Sequence, residues 1–201
     1  KAIERTAALE EYKIIQRLKQ GDINSLEMLV ETYQEKAIRT AYLVTQDKAL
    51  ARDVVQATFI KVYKAIAKFD PSRPFEPYFM RSVVNAAIRA SRKSQKVISL
   101  EKFHEDTGFL DELVTTAENP ETVLEDKERA ERIEFLVRQL SPEQRAVIVL
   151  KYYLGYSESE MAAQLDAPQG TIKSRLYQAR QQLKRLLQVN RTQPLVKEEM
   201  A

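Results

Sequence analysis

The chain has no cysteine and only one histidine, His104. The first absence excludes a disulfide framework and any thiolate metal site. The second leaves imidazole-based zinc chemistry without its ligands. Long apolar runs are also missing. The longest, Ala146–Leu150, is far too short to span a bilayer, so no membrane insertion is expected. The first residues, Lys1-Ala2-Ile3-Glu4-Arg5, lack the apolar core of a signal peptide, and a cytoplasmic protein is the expectation. A start at Lys1 rather than Met fits trimming of the first residues. No cofactor and no metal are expected. Glycine is scarce, with Gly21, Gly108, Gly155 and Gly170 all falling where turns are expected.

What is abundant is charge, and it is segregated. Of 201 residues 30% are charged and 44% hydrophobic, ordinary for one or two globular domains. Net charge is only +3, yet Glu101–Glu134 holds twelve acidic and four basic residues. The rest of the chain therefore carries +11. Pro77–Leu100 has no acid but has Arg81, Arg89, Arg92, Lys93 and Lys96. Ala167–Lys197 has no acid but has Lys173, Arg175, Arg180, Lys184, Arg185, Arg191 and Lys197. Two basic blocks separated by an acidic spacer are the electrostatic footprint of phosphate binding.

Between the glycines and prolines the chain is rich in good helix formers, and no stretch keeps the strand period. The fold class is all-α, with two helical domains. A first helix is expected over about Ala8–Gln20, ended by Gly21, and a second from Asn24 as its N-cap. A long third helix spans about Asp47–Phe69, Asp70–Pro74 is a proline-broken loop, and a further helix covers about Glu76–Lys93. These make a domain of residues 1–96. Residues 97–118 read as an acidic linker. Asn119-Pro120-Glu121 opens a second domain, residues 119–190. Ser141–Gln144 and Ser157–Glu160 read as capping boxes, the latter with Tyr156 and Met161 placed as a staple. Pro168 opens a last helix to about Val189, and residues 191–201 form a tail with no assigned role.

Glu158–Leu165 and Pro168–Gln188, joined near Asp166-Ala167, read as a helix-turn-helix. In the second helix Ile172, Leu176, Ala179 and Leu183 share one face. The opposite face presents Gly170, Ser174, Tyr177, Gln178 and Gln181, with Lys173 beside it. Lys173, Ser174, Tyr177, Gln178 and Gln181 suit base edges in a major groove. Arg175, Arg180, Lys184 and Arg185 flank them for phosphates, and the N–H groups of Gln169–Thr171 offer a further phosphate site. A plain amphipathic surface helix is the other reading. It leaves unexplained why this outward face lacks every Asp and Glu.

The segment from Leu140-Ser141-Pro142-Glu143-Gln144-Arg145 through Gly155-Tyr156-Ser157, Met161-Ala162, Pro168–Leu176 and Ala179-Arg180 resembles region 4 of bacterial sigma factors of the extracytoplasmic-function (ECF) type. Asp53–Phe59 and Phe75–Asn85 resemble region 2 of the same family. Tyr78 stands where the family usually has Trp, which keeps an aromatic plate. Arg89 stands where an Asp is common, so no local salt bridge is carried over. The matches leave no room for a third sigma domain, as in the ECF group.

The resemblance implies a protein that binds core RNA polymerase and directs promoter recognition, melting and initiation, and is not itself an enzyme. It implies that Asp53 and Gln56, framed by Ala49 and Ile60, meet the β′ clamp helices, and that region 4 meets the β flap and the −35 element. Loop residues Ser72 and Arg73 would capture a flipped base of the −10 element, with Tyr78, Arg81, Asn85, Arg89 and Arg92 beside it. Lys61, Lys64 and Lys68 add cations, whereas Phe69, Phe75 and Phe79 read better as core. Gly170, Thr171, Arg175, Arg180 and Lys184 are the phosphate set near the −35 element. The acidic linker matches a family segment that threads the RNA channel, although a solvated linker explains it equally. An anti-sigma factor is a common partner in the family. Competing classes are an autonomous helix-turn-helix regulator, which would bind duplex DNA without polymerase, and a metal nuclease, for which no carboxylate cluster stands near the basic faces.

Overall fold

The structure, a computed structural model, describes residues 2–98 and 132–192, all helix and turn, which fall into two compact units. The linker beyond Ile98, His104, the Asn119-Pro120-Glu121 start and the tail beyond Thr192 lie outside the described residues.

Among the described residues the first unit has four α-helices: α1 (Ala2–Lys19), α2 (Asn24–Thr45), α3 (Lys48–Ala65) and α4 (Phe75–Ile98). Gly21 ends α1 with φ +94°, a conformation that costs a Cβ-bearing residue strain. Its N–H reaches Leu18 O at 3.1 Å while Asp22 N–H reaches Arg17 O at 3.1 Å, the paired bonds of a Schellman cap. α1 begins six residues before the expected Ala8. Asn24 is not the cap of α2 but its first helical residue: Asp22 accepts its N–H at 3.1 Å and the Ser25 hydroxyl at 3.0 Å. Asp47 caps α3 by accepting the Leu50 N–H at 2.8 Å. α3 stops at Ala65, and a tighter 3₁₀ turn, Ile66–Lys68, replaces its expected last turn. α4 includes Pro77, which its first turn tolerates because those N–H groups have no helical acceptor. It continues past the expected Lys93, two residues into the segment read as linker.

An aromatic cluster fills this unit. Phe69, Phe75 and Phe79 are buried, as their core reading requires, and so is Phe59, whose ring centroid lies 4.4 Å from that of Phe79. Each such ring contributes roughly 1.5–3 kcal/mol by leaving water. Tyr33 donates its hydroxyl to Glu11 at the rim. Burial, then that bond and Glu11's charge, push the phenol far above its ordinary range. On α3 Ala57 is exposed. Thr58, one position on, is buried and donates to Val54 O at 2.7 Å.

The second unit comprises α5 (residues 132–138), α6 (Pro142–Ile148), α7 (Glu158–Leu165) and α8 (Gln169–Thr192). Ser141 and Gln144 close the first capping box, Ser157 and Glu160 the second. Arg145 is buried, and its guanidinium donates to Leu140 O at 2.9 Å. Desolvation pulls its pKa down to about 10, so it stays charged at neutral pH. After α6 the ladder widens to a π turn, Val149–Tyr153, closed by Leu154 N–H to Val149 O at 3.0 Å. Gly155 then reverses the chain with φ +74°. α8 reaches Thr192, beyond the expected Val189, and Gly170 sits inside its first turn rather than in a turn of its own.

Candidate nucleic-acid and polymerase interfaces

α7 and α8 form the expected helix-turn-helix. Asp166 ends α7 in the left-handed region at φ +49°, and both it and Ala167 direct their N–H groups to Ala162 O. Ile172, Leu176 and Ala179 are buried, with Leu183 half-buried behind them. The face turned away carries Gly170, Lys173, Ser174, Tyr177 and Gln178, all exposed, and half-buried Gln181. Tyr177 is 64% exposed, an orientation no core role explains. A groove of about 560 Å³ runs beside it, lined by Gln144, Tyr177, Gln178, Gln181, Gln182 and Arg185 among others.

Two details differ from the sequence expectations, the Thr171 N–H and a nearby acid. Thr171 N–H is not free for a phosphate, since Pro168 O accepts it at 2.9 Å. Gln169 and Gly170 keep N–H groups with no backbone acceptor among the described residues. Acid is not wholly absent from the site, because α7 brings Glu158 to 3.9 Å from Lys173. Of the flanking cations, Lys184 and Arg185 are exposed and Arg175 is half-buried. Arg180 is oriented: its Nε donates to the Tyr152 hydroxyl at 2.9 Å, with the guanidinium 5.8 Å from that ring's centre. Sequence reasoning missed Tyr152. It lies in the π turn, where the ordinary helical spacing does not fix its direction.

In the first unit, Tyr78, Arg81, Asn85, Arg89 and Arg92 fall on one stripe of α4. The three arginines are exposed. Tyr78 is half-buried, stacked at a tilt on Phe69 with ring centroids 4.8 Å apart. The neighbouring loop is organised by Asp70, which sequence reasoning did not single out. Asp70 accepts the Ser72 hydroxyl at 2.8 Å and its N–H at 3.0 Å, and Arg73 lies 3.6 Å away. Ser72, then Arg73 and Lys19, hold the Asp70 carboxyl below its ordinary range. Ser72 is thereby committed to the loop, while the Arg73 side chain is 80% exposed. Lys61, Lys64 and Lys68 are exposed.

On α3 the residues Ala49, Asp53, Gln56 and Ile60 share one exposed stripe opposite buried Ala51, Val55, Thr58 and Val62. Ile60 is 48% exposed, an apolar side chain left in water beside two polar ones, the pattern of a protein-binding face. Among the described residues no group of histidine and carboxylate side chains is arranged to hold a metal, and no helix is long and apolar enough to cross a membrane.

The family model described as Sigma-70 region 2 matches residues 29–97, and that described as Sigma-70 region 4 matches residues 130–183. The ECF RNA polymerase sigma-E factor of Escherichia coli (strain K12) is 30% identical over 199 residues, covering 94% of this chain and 97% of that protein. The RNA polymerase sigma-H factor of Pseudomonas aeruginosa is 26% identical over 196 residues, covering 94% and 97%. Among solved structures, CnrH in complex with the cytosolic domain of CnrY is similar at a TM-score of 0.62, with 22% identity over 90% of this chain and 98% of that one. The sigma factor RpoE in complex with the anti-sigma factor NepR from Bartonella quintana gives 0.60, with 20% identity over 82% and 97%. At these identities the two structures bear on the fold alone. The two matched regions define a sigma factor of the sigma-70 class. Within it, the chain belongs to the ECF RNA polymerase sigma factors. It binds core RNA polymerase and directs promoter recognition and transcription initiation, and the autonomous-regulator reading is not favoured.

Proposed function

We propose a division of labour within this sigma factor. Residues 1–98 bind core polymerase and the −10 element, residues 119–190 bind the −35 element and the β flap, and the acidic residues 99–118 connect them. Asp53, Gln56, Ala49 and Ile60 meet the β′ clamp helices. Arg73 and Tyr78 receive unstacked −10 bases, Ser72 shapes the loop around them, and Arg81, Asn85, Arg89 and Arg92 follow the strand. Lys173, Ser174, Tyr177, Gln178 and Gln181 read the −35 major groove, while Gly170, Arg175, Arg180 and Lys184 hold phosphates. Thr171 contributes through its side chain, its N–H being already bonded. The protein acts in the cytoplasm by binding and positioning, without catalysis of its own. An anti-sigma partner is supported by the NepR complex of the similar Bartonella protein.

The observation that carries this reading is the single stripe of Tyr78, Arg81, Asn85, Arg89 and Arg92 on α4, an aromatic plate continued by cations with no acid among them. The test is run-off transcription with core polymerase on a promoter library. Transcripts appear only with the protein present, and their templates share −10 and −35 sequences. Equal RNA synthesis without the protein refutes it.

A further inference from the structure

We propose that α1 is a two-point clamp that holds the 70–74 loop in its base-receiving shape, making Glu11 and Lys19 positioning residues for −10 discrimination. The inference rests on the reading of that loop given above. The loop leaves the 3₁₀ turn at Phe69 and enters α4 at Phe75. Both ends are held by α1. Lys19 Nζ donates to Phe69 O at 2.9 Å, and Glu11 Oε1 accepts the Phe75 N–H at 3.1 Å. Glu11 thus supplies the cap that α4 lacks locally, from 64 residues away in sequence. Its other oxygen takes the Tyr33 hydroxyl, which fixes the carboxylate against α2. Lys19 is also close enough to act on Asp70, the hub of the loop. Glu11 and Lys19 are eight positions apart, roughly 12 Å along the helix axis. Both precede residue 29, where the region 2 match begins.

Among the described residues the loop's own bonds are short-range, Asp70 to Ser72 and Arg73. Pinning its two ends fixes the geometry between them before any base arrives. A receiving site ordered in advance loses less on capture, and its preference among bases is sharper.

The test uses holoenzyme assembled with saturating Lys19→Met, Lys19→Arg or Glu11→Ala protein. Run-off product from the preferred promoter is compared with product from templates bearing single −10 or −35 substitutions. Lys19→Met and Glu11→Ala lower discrimination at −10 by about tenfold. Core affinity and −35 discrimination stay at wild-type values, and Lys19→Arg, which still donates, restores the −10 ratio. Should Glu11→Ala fail to fold, the half-buried Lys19 supplies the same answer. Parallel losses on every template, or an unchanged −10 ratio, overturn the clamp. A Ser72→Ala, Arg73→Ala protein runs alongside. If it shifts −10 preference and the α1 variants do not, the clamp alone fails. If it too leaves preference intact, the loop reading falls and the clamp with it.

Discussion

Arg180 reaches its place through a partner on another helix. Tyr152 accepts its Nε hydrogen and places a ring beside the guanidinium, which narrows the angles the cation explores. Tyr152→Phe keeps the ring and removes the acceptor. Holoenzyme binding to a −35-bearing promoter is then expected to weaken by about 0.5–1 kcal/mol, roughly two- to fivefold. The salt dependence is expected to stay unchanged, because Arg180 keeps the charge that the proposed phosphate contact uses. Arg180→Ala instead lowers the salt slope by about one. Titrations at several salt concentrations separate the two, and an unaltered affinity in Tyr152→Phe refutes the pairing. Residues such as Ile172, Leu176, Ser174 and Tyr177 were legible in the sequence because a regular helix fixes their faces by spacing alone. Tyr152 was not, because its direction depends on a π turn that no local pattern announces. Glu11 and Lys19 escaped notice for a related reason: their partners lie 64 and 50 residues away.

Capping chemistry explains why the element boundaries of the second unit were readable. Ser141 with Gln144 and Ser157 with Glu160 state each helix start in four letters, and both boxes form. Asp47 does the same for α3, whereas Asn24 misled because Asp22, two residues earlier, takes the role. The second box also makes α7 sensitive to acid. Glu160 accepts from the Ser157 hydroxyl and N–H, which holds its carboxyl below the ordinary value of 4.5. A carboxylate with a depressed folded pKa stabilises fully above the unfolded value and ceases to as pH falls through the folded one. Thermal melts between about pH 6 and about pH 3 are therefore expected to show a smaller acid-induced drop for Glu160→Gln than for wild type. Identical curves argue that the box contributes nothing. Asp70 and Glu10, also lowered, titrate alike in both proteins, so the difference between curves isolates Glu160.

For the molecule as a whole, the proposed assignment gives the two basic faces and the exposed α3 stripe different partners, so damage to each is expected to be separable. Asp53→Ala combined with Gln56→Ala removes two exposed side chains opposite a buried face, and the fold survives. Binding to core polymerase is expected to weaken roughly tenfold, about 1.4 kcal/mol. Competition with wild-type protein for limiting core measures it, and equal competition rejects the assignment. The all-helical class and the two-part organisation were legible because charge and helix punctuation both divide the chain.

The wide turn at Val149–Tyr153 sets the direction in which the chain leaves α6. One residue more or fewer on a helix turns the downstream chain by roughly 100° about the axis. The extra residue here acts like a spacer tooth in a gear train. Removing it restores ordinary rungs locally, yet it swings Tyr152 off Arg180 and mis-sets the Gly155 reversal just downstream. An in-frame deletion of a single codon at this point is therefore expected to cost a cation on α8 its anchor, and not only one rung of backbone.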